Sequence, residues 1–511
     1  MRNCLSQHTR FGNAHGMQLL VGNIIRQNAL ARPHEPAASK GDVVFSHRQL
    51  DARSNQLARA LARLGVGHGD RVLTWADSCL EILTLYAATS KLGAVLAPLN
   101  AHYNAEEATP VAGLARASLL LTDAARAEAG PTVAKDADVS RTAQLVGPGP
   151  GADLASLADA ESDALFQQPA LREDDPHVIF FTSGSTGLPK GVVISHRANW
   201  LRGFQGVFID TPERTVCMFP LFHMAGFTMA LAAWQTRGEL IISESARAED
   251  LLEATQRRRA TRLYLLPAVF ARVLEADLSR YDTSSLTELD TGTSAVPIEL
   301  LHGMKEHFPG TRTRIRYGST EVGSACSLGD ADVLRKPGSV GFAPPGVELR
   351  LTEEGEITVK SPFMMTEYFD NPEATADAVR DGWYQSGDLG ALDDEGYLSI
   401  VGRKKEIIRT GGESVSPSEV EAVLGKVPGV REVAVVGLPD PGWGEVVCAA
   451  IVTDGGQEIA LEALQAQCEG QLATFKKPRR VVHVDTLPRT AATGQVQRTL
   501  LVQSILSSGE S

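Results

Sequence analysis

FFTSGSTGLPKGVVISH, residues 180 to 196, sets two apolar strands on either side of a turn rich in glycine and hydroxyls. Thr182, Ser183, Gly184, Ser185, Thr186, Gly187 and Lys190 stand in it. Glycines let backbone approach an anion closely, hydroxyls and amides donate to phosphate oxygens, and a lysine adds charge. The order is not that of a Walker loop, because Pro189 precedes the lysine and no helix-opening Gly-Lys-Ser/Thr follows. The stretch reads as a buried strand delivering a phosphate-binding turn.

The flanks extend this pattern. Residues 42 to 76 read strand, amphipathic helix, strand, with DARSNQLARALARLGV apolar at helical spacing and ended by Gly65. ILTLYAATSKLGAVLAPLN adds a second helix and strand. Strands alternating with helices predict a mostly parallel α/β sheet. Residues 123 to 170, rich in Ala, Asp and Gly, are expected to be peripheral. VCMFPLFHMAGFTMALAAWQ, 216 to 235, is uncharged but broken by Pro220, His223 and Gly226, so it predicts a strand, a loop and a buried helix rather than a membrane span. Residues 338 to 402 carry short alternating strands with Pro/Gly turns and predict a small β-rich subdomain. A boundary is expected near 402 to 406, before a small α+β domain of about a hundred residues. The expected division is a large N-terminal domain, 1–402, and a C-terminal domain, 403–511.

Composition agrees with a soluble enzyme. The 511 residues suffice for several domains, and 43% hydrophobic with 22% charged residues is ordinary. A formal charge of −13 argues against nucleic-acid binding. The six cysteines are scattered with no CxxC pair, so a disulfide framework or zinc site is not expected and a reducing cytoplasm fits. The N-terminal MRNCLSQHTRFGNAHG lacks the apolar run of a signal peptide.

Five further segments occur in a telling order: PLFHMAGF (220–227), DTGTSAVP (290–297), RYGSTEVG (316–323), WYQSGDLG (383–390) and GRKKEIIRTGGESVSPSEVE (402–421). Together with 180–196 they resemble the motifs of the adenylate-forming superfamily of acyl-CoA synthetases, nonribosomal adenylation domains and firefly luciferase. The resemblance runs over roughly residues 20 to 500. It implies a large α/β domain followed by a mobile C-terminal one, with ATP and CoA as co-substrates and Mg2+ as cofactor.

It also implies roles. Gly292, Thr293 and Ser294 fall at the adenine-side turn, with Thr293 where a second glycine is common. Tyr317, with Gly318 and Ser319, offers a flat face to adenine; Thr320 faces the α-phosphate, and Glu321 holds magnesium. Asp388 accepts the ribose hydroxyls, with Arg403 near it. Phe222, His223, Met224, Phe227 and Gly323 belong to the acyl pocket, and His223 alternatively shapes the thiol tunnel. Lys405 falls at the hinge, and Gly411 and Gly412 line the CoA tunnel. PLFHMAGF holds no Asp to meet an α-amino group and is apolar and aromatic, which suits a fatty or aromatic acid. No carrier-protein segment follows the C-terminal domain, so CoA is the expected acceptor, with an amine as runner-up. A non-catalytic adenylate or acyl-CoA binding paralogue is the reading from another class. The basic run KKPRR, 476–480, either meets CoA phosphates or is a solvated charge run. A homodimer stays open.

One residue departs from the pattern. In LPRTAATGQVQRT, 487–499, the resemblance implies a catalytic lysine directly after Gly494, and Gln495 stands there. An amide donates hydrogen bonds but carries no charge, so adenylation is expected to be impaired and thioester formation less so. Either the glutamine was introduced to freeze a complex, which the intact remaining motifs favour, or it marks a degenerate paralogue. In a third reading, Arg489 or Arg498 supplies the missing charge.

Overall fold

The computed structural model describes residues 18–182, 189–204, 211–490 and 494–507. The chain forms two compact units. The first comprises Met1–Ala38, Val44–Asp210 and Ala230–Gly238; the second comprises Ser39–Val43, Thr211–Met229 and Glu239–Ser511.

The first unit is built on a sheet whose strands run in the order Lys190–Ser195, Pro176–Thr182, Val95–Pro98, Arg71–Trp75, Leu119–Asp123, Thr142–Val146 and Ala152–Asp153. All neighbours are parallel except the first pair. The strands Val95–Pro98 and Leu119–Asp123 are buried along their whole length, as unbroken apolar runs in a sheet covered on both faces should be. The helix His47–Arg63 starts at a capping box: Ser46 accepts from the Gln49 amide, and the Gln49 side chain accepts from the Ser46 N–H. It stops where Gly65 takes φ +77°, a left-handed conformation that costs glycine little. The stretch 123 to 170, expected to be peripheral, supplies the last two strands at the edge of the sheet, Thr142–Val146 and Ala152–Asp153. Thr142–Val146 pairs with Leu119–Asp123 and buries Ala143, Gln144 and Leu145, so this stretch completes the sheet.

Two imidazoles lie stacked in this unit. His177 and His196 have ring centroids 4.6 Å apart and are almost wholly buried. Burial drives the His177 pKa down to about 3 and that of His196 well below the ordinary imidazole value. Both rings are therefore neutral when folded, whereas in the unfolded chain they take up protons below about pH 6.5. Stability is full above that pH and falls as pH drops from about 6.5 towards 3, by up to about 1.4 kcal/mol per pH unit for each ring. The expected result is a lower melting temperature at pH 5 than at pH 7. The difference should shrink in His177→Phe/His196→Phe, and an unchanged difference would contradict the assignment.

In the second unit, one sheet runs Gly323–Leu328, Arg312–Ser319, Glu288–Gly292, Arg262–Tyr264, Arg214–Cys217 and Glu239–Ile242. The β-rich subdomain expected at 338–402 is present as Ser339–Gly341, Leu398–Arg403, Trp383–Leu392, Glu356–Lys360 and Glu348–Leu351, with Val379–Arg380 paired to Trp383–Leu392. A third sheet carries Ile408–Thr410, Glu413–Val415, Val430–Asp440, Gly444–Thr453 and Arg480–His483. The long strands of this sheet alternate between two cores. Val447, Ala449 and Ile451 pack with the helices Pro417–Leu424 and Leu461–Gln467, while Val446, Cys448 and Ala450 pack with Leu501 and Ile505 of Arg498–Ser507. That is the period of two required of a strand covered on both sides. Among the described residues no helix is long and apolar enough to cross a membrane, and the described cysteines are free.

Candidate active site

The strand Arg312–Ser319 lies parallel to Glu288–Gly292 and antiparallel to Gly323–Leu328. Its last turn is very close. A Cβ on Gly318 would come within 1.9 Å of the Gly323 carbonyl oxygen, so only glycine lets the two strands meet there. This contact fixes where Tyr317 stands before it and where Thr320 and Glu321 stand after it.

The Tyr317 hydroxyl donates to Asp388 Oδ2 at 2.7 Å. Asp388 sits on Trp383–Leu392 directly opposite Arg403, whose Nε lies 3.0 Å from Oδ1. The Ser386 hydroxyl bonds the Asp388 amide. Burial, and then the Asp388 charge, push the Tyr317 hydroxyl above the ordinary phenol range, so it stays a proton donor. Sequence pairing of Asp388 with Arg403 is matched by this geometry; the tyrosine bond, across 71 residues, had no local signal.

Glu321 is 9% exposed, and its Oε1 accepts from the Tyr368 hydroxyl at 3.1 Å. Burial, and then the Glu321 charge, raise Tyr368 and Tyr384, so both hydroxyls remain donors beside the carboxylate. Sequence reasoning missed both tyrosines. Thr320 is half-buried beside Glu321. Among the described residues no cluster of three or more acidic, His or Cys ligands exists. A single oriented carboxylate nevertheless fits magnesium, a hard cation that keeps its waters and arrives bridging substrate phosphates.

Thr293 follows Gly292 with φ +68°, which is uncommon for any side chain and strained for a β-branched one. Its carbonyl accepts from Gln495 Nε2 at 3.2 Å. Gln495 is held out by a tight loop: Thr490 N–H donates to Gln495 O at 2.8 Å, Gly494 N–H to Thr490 O at 2.9 Å, and Gln497 N–H to Pro488 O at 2.8 Å. The neighbouring cations are turned away. Arg489 bonds Glu432 and the Gly494 carbonyl, and Arg498 bonds Glu406 and Glu421. Neither guanidinium stands in for a lysine at 495 in this conformation.

The strand Arg214–Cys217 leads into the segment at 220–227, which the helix Met224–Gln235 continues. Phe222 and Phe227 are buried; the Phe222 ring lies 4.9 Å from that of His223, which is half-buried. Met224 Sδ accepts from Thr228 Oγ1. Ser294 is exposed, and Gly323 opens the strand that follows Glu321. Lys405 lies in the short helical turn Lys404–Glu406. Gly411 and Gly412 both take positive φ, and a Cβ on Gly411 would come within 2.7 Å of the Trp443 ring. The Arg479 guanidinium lies 3.7 Å over that ring, and Lys476 Nζ lies 5.8 Å over Phe475. In the first unit, Thr182 and Lys190 face each other in register across the two strands. Ser183, Gly184, Ser185, Thr186 and Gly187 lie outside the described residues.

Comparison with known proteins agrees with this arrangement. Residues 25–369 match the model of the AMP-binding enzyme family, and 419–493 that of the AMP-binding enzyme C-terminal domain. A long-chain-fatty-acid–CoA ligase of Mycobacterium tuberculosis, FadD13, is 32% identical over 94% of this chain and 97% of its own. An indoleacetate–CoA ligase of Aromatoleum aromaticum is 33% identical over 93% of this chain and 96% of its own. The structure is similar to that of ATP-bound MatB from Rhodopseudomonas palustris, with a TM-score of 0.86, 30% identity, and coverage of 96% of this chain and 99% of that one.

Proposed function

The chain belongs to the AMP-binding enzyme family, and from that premise we propose that it is an ATP-dependent acid–thiol ligase acting on a fatty or aromatic carboxylic acid. The acid attacks the α-phosphate of ATP and pyrophosphate leaves; the CoA thiol then attacks the acyl carbonyl of the adenylate, giving the thioester as AMP leaves. The observation that carries this reading is Asp388, clasped between Tyr317 and Arg403 with both carboxylate oxygens fixed. A carboxylate so held is an acceptor for two vicinal hydroxyls, as a ribose presents. The curated relatives' own acids, a long-chain fatty acid and indoleacetate, support the choice of substrate class.

The roles are those that the motifs imply. Tyr317 presents its ring to adenine, Thr320 meets a phosphate oxygen, and Glu321 would hold magnesium in the orientation that Tyr368 imposes. The metal, when bound with the nucleotide, neutralises charge developing on the phosphates. His223 and the phenylalanines on either side of it shield the acid from water. Residues 403–511 form the moving part, turning about Lys405. Gly411 and Gly412 then leave room for the thiol arm, and the cationic, aromatic face of Trp443, Phe475, Lys476 and Arg479 meets the CoA nucleotide.

Gln495 weakens the first half-reaction in this proposal. Its amide reaches the adenine-side turn at Thr293, where a lysine would bring a charge. The test is a panel of fatty and aromatic acids given with Mg2+, ATP and CoA to Gln495→Lys. Pyrophosphate and an acyl-CoA from at least one acid is the expected result. Product with hydroxylamine or an alkylamine but not CoA would make it an amide synthetase. ATP bound with no product from any acid would leave the non-catalytic binding paralogue.

A further inference from the structure

Tyr317 and Arg316 are successive strand residues and point to opposite faces. The face away from the nucleotide holds a set of buried charges that the reaction above does not use. Arg262 bonds Glu213 at 2.7 Å and approaches Asp290 at 3.3 Å. Arg314 bonds Glu288 and Asp290, the latter at 3.1 Å. Among the described residues Arg316 has one carboxylate contact, Nη2 to Asp290 Oδ2 at 3.4 Å, on the oxygen that also faces Arg262. Its Nε is buried with no hydrogen-bond partner among the described residues.

The charges do not balance evenly. Burial pushes the Glu213 carboxyl up and so disfavours its negative charge. Asp290 stays ionised because Arg316, Arg262 and Arg314 outweigh its own burial, and it is shared among all three. Arg316 is kept charged chiefly by Asp290, yet its carboxylate contact, at 3.4 Å, is longer than the 2.7 Å of Arg262 to Glu213 and the 3.1 Å of Arg314 to Asp290. It is also partly open, with 24% of its side-chain surface exposed, against 30% for Arg314, 6% for Arg262 and 2% for Asp290. A buried hydrocarbon placed there would leave a charged N–H unpaired.

This face abuts the segment assigned to the acid. Tyr264 is the register partner of Asp290, and its ring meets Phe219 edge-on, with centroids 5.2 Å apart. Phe219 immediately precedes Pro220–Phe227. The geometry points to Arg316 as a specificity residue that receives an anionic oxygen at the far end of the acid, so that the preferred substrates carry a second carboxylate beyond an apolar body. The inference rests on the ligase reading above and narrows its substrate class.

The test uses Gln495→Lys and pairs each straight-chain or ring-bearing monocarboxylic acid with the dicarboxylic acid of the same length. At least one diacid should exceed its partner in kcat/KM for pyrophosphate release by about tenfold or more. Adding Arg316→Met should lower that diacid by about 10²-fold with far less effect on the monoacid. Monoacids preferred throughout, an acid with a neutral keto tail preferred over both, or an equal loss on both acids in Arg316→Met would overturn the inference. Should Arg316→Met not fold, the rise in melting temperature of the unsubstituted chain with ATP and each acid decides, and a diacid no better than its partner overturns it. Turnover on no acid at all would instead sink the ligase reading.

Discussion

Gln495→Lys is expected to release pyrophosphate about 10²–10³-fold faster than the present chain with the same acid. The magnitude is that of one preorganised electrostatic donor aimed at charge that develops in the transition state. The amide at 495 reaches the turn at Thr293, whose carbonyl accepts from its Nε2. What it lacks is a charge, and the neighbouring Arg489 and Arg498 bond Glu432, Glu406 and Glu421. The substitution should therefore act on adenylation alone. Given a synthetic acyl-adenylate and CoA, both proteins should form thioester at rates within a few-fold of each other. Equal pyrophosphate release by the two proteins would mean the charge at 495 is dispensable. A loss equally large in the thioester step would mean that Gln495 disturbs the loop and not the electrostatics.

How much of this was legible depended on whether a contact is local in sequence. The helix His47–Arg63 and the strands around it follow from period and from Gly65, because those signals lie within one element. The β-rich texture of 338–402 was legible for the same reason. Asp388 and Arg403 face each other across adjacent strands, and their motifs, not their spacing, announced it. The contacts that orient the site were not legible. Tyr368 reaches Glu321 across 47 residues, and Gln495 reaches Thr293 across 202. The charges on Arg262, Asp290, Arg314 and Arg316 become one network only through the register that sets Asp290 beside Tyr264 and Arg314. Alternation along each strand shows that charges share a face, but not which strand lies next to which.

Asp388→Ala is expected to weaken ATP binding by about 10²-fold. Two ribose hydroxyls donating to a carboxylate contribute at least about 1.5 kcal/mol each, and about 1.4 kcal/mol corresponds to tenfold. The geometry makes this carboxylate hard to replace. Oδ1 and Oδ2 are oriented separately, by Arg403 and Tyr317, so a water filling the cavity would be held by neither in the same place. Asp388→Asn keeps one acceptor oxygen and should lie between the two. Tyr317→Phe keeps the ring for adenine and removes only the bond that orients Asp388, so its loss should be the smallest, about tenfold or less. A structural cost runs alongside, because the Tyr317 hydroxyl loses its acceptor in Asp388→Ala. Arg403, with 55% of its side chain exposed, is solvated without one. Calorimetric titration of ATP reads the binding loss and thermal unfolding without ligand reads the structural cost, so the two are separable. If Asp388→Ala bound ATP as the parent does while Tyr317→Phe did not, adenine stacking and not ribose capture would be the anchor of the nucleotide. The clasp of Tyr317 and Arg403 on Asp388 would then serve only to join the strands that carry them.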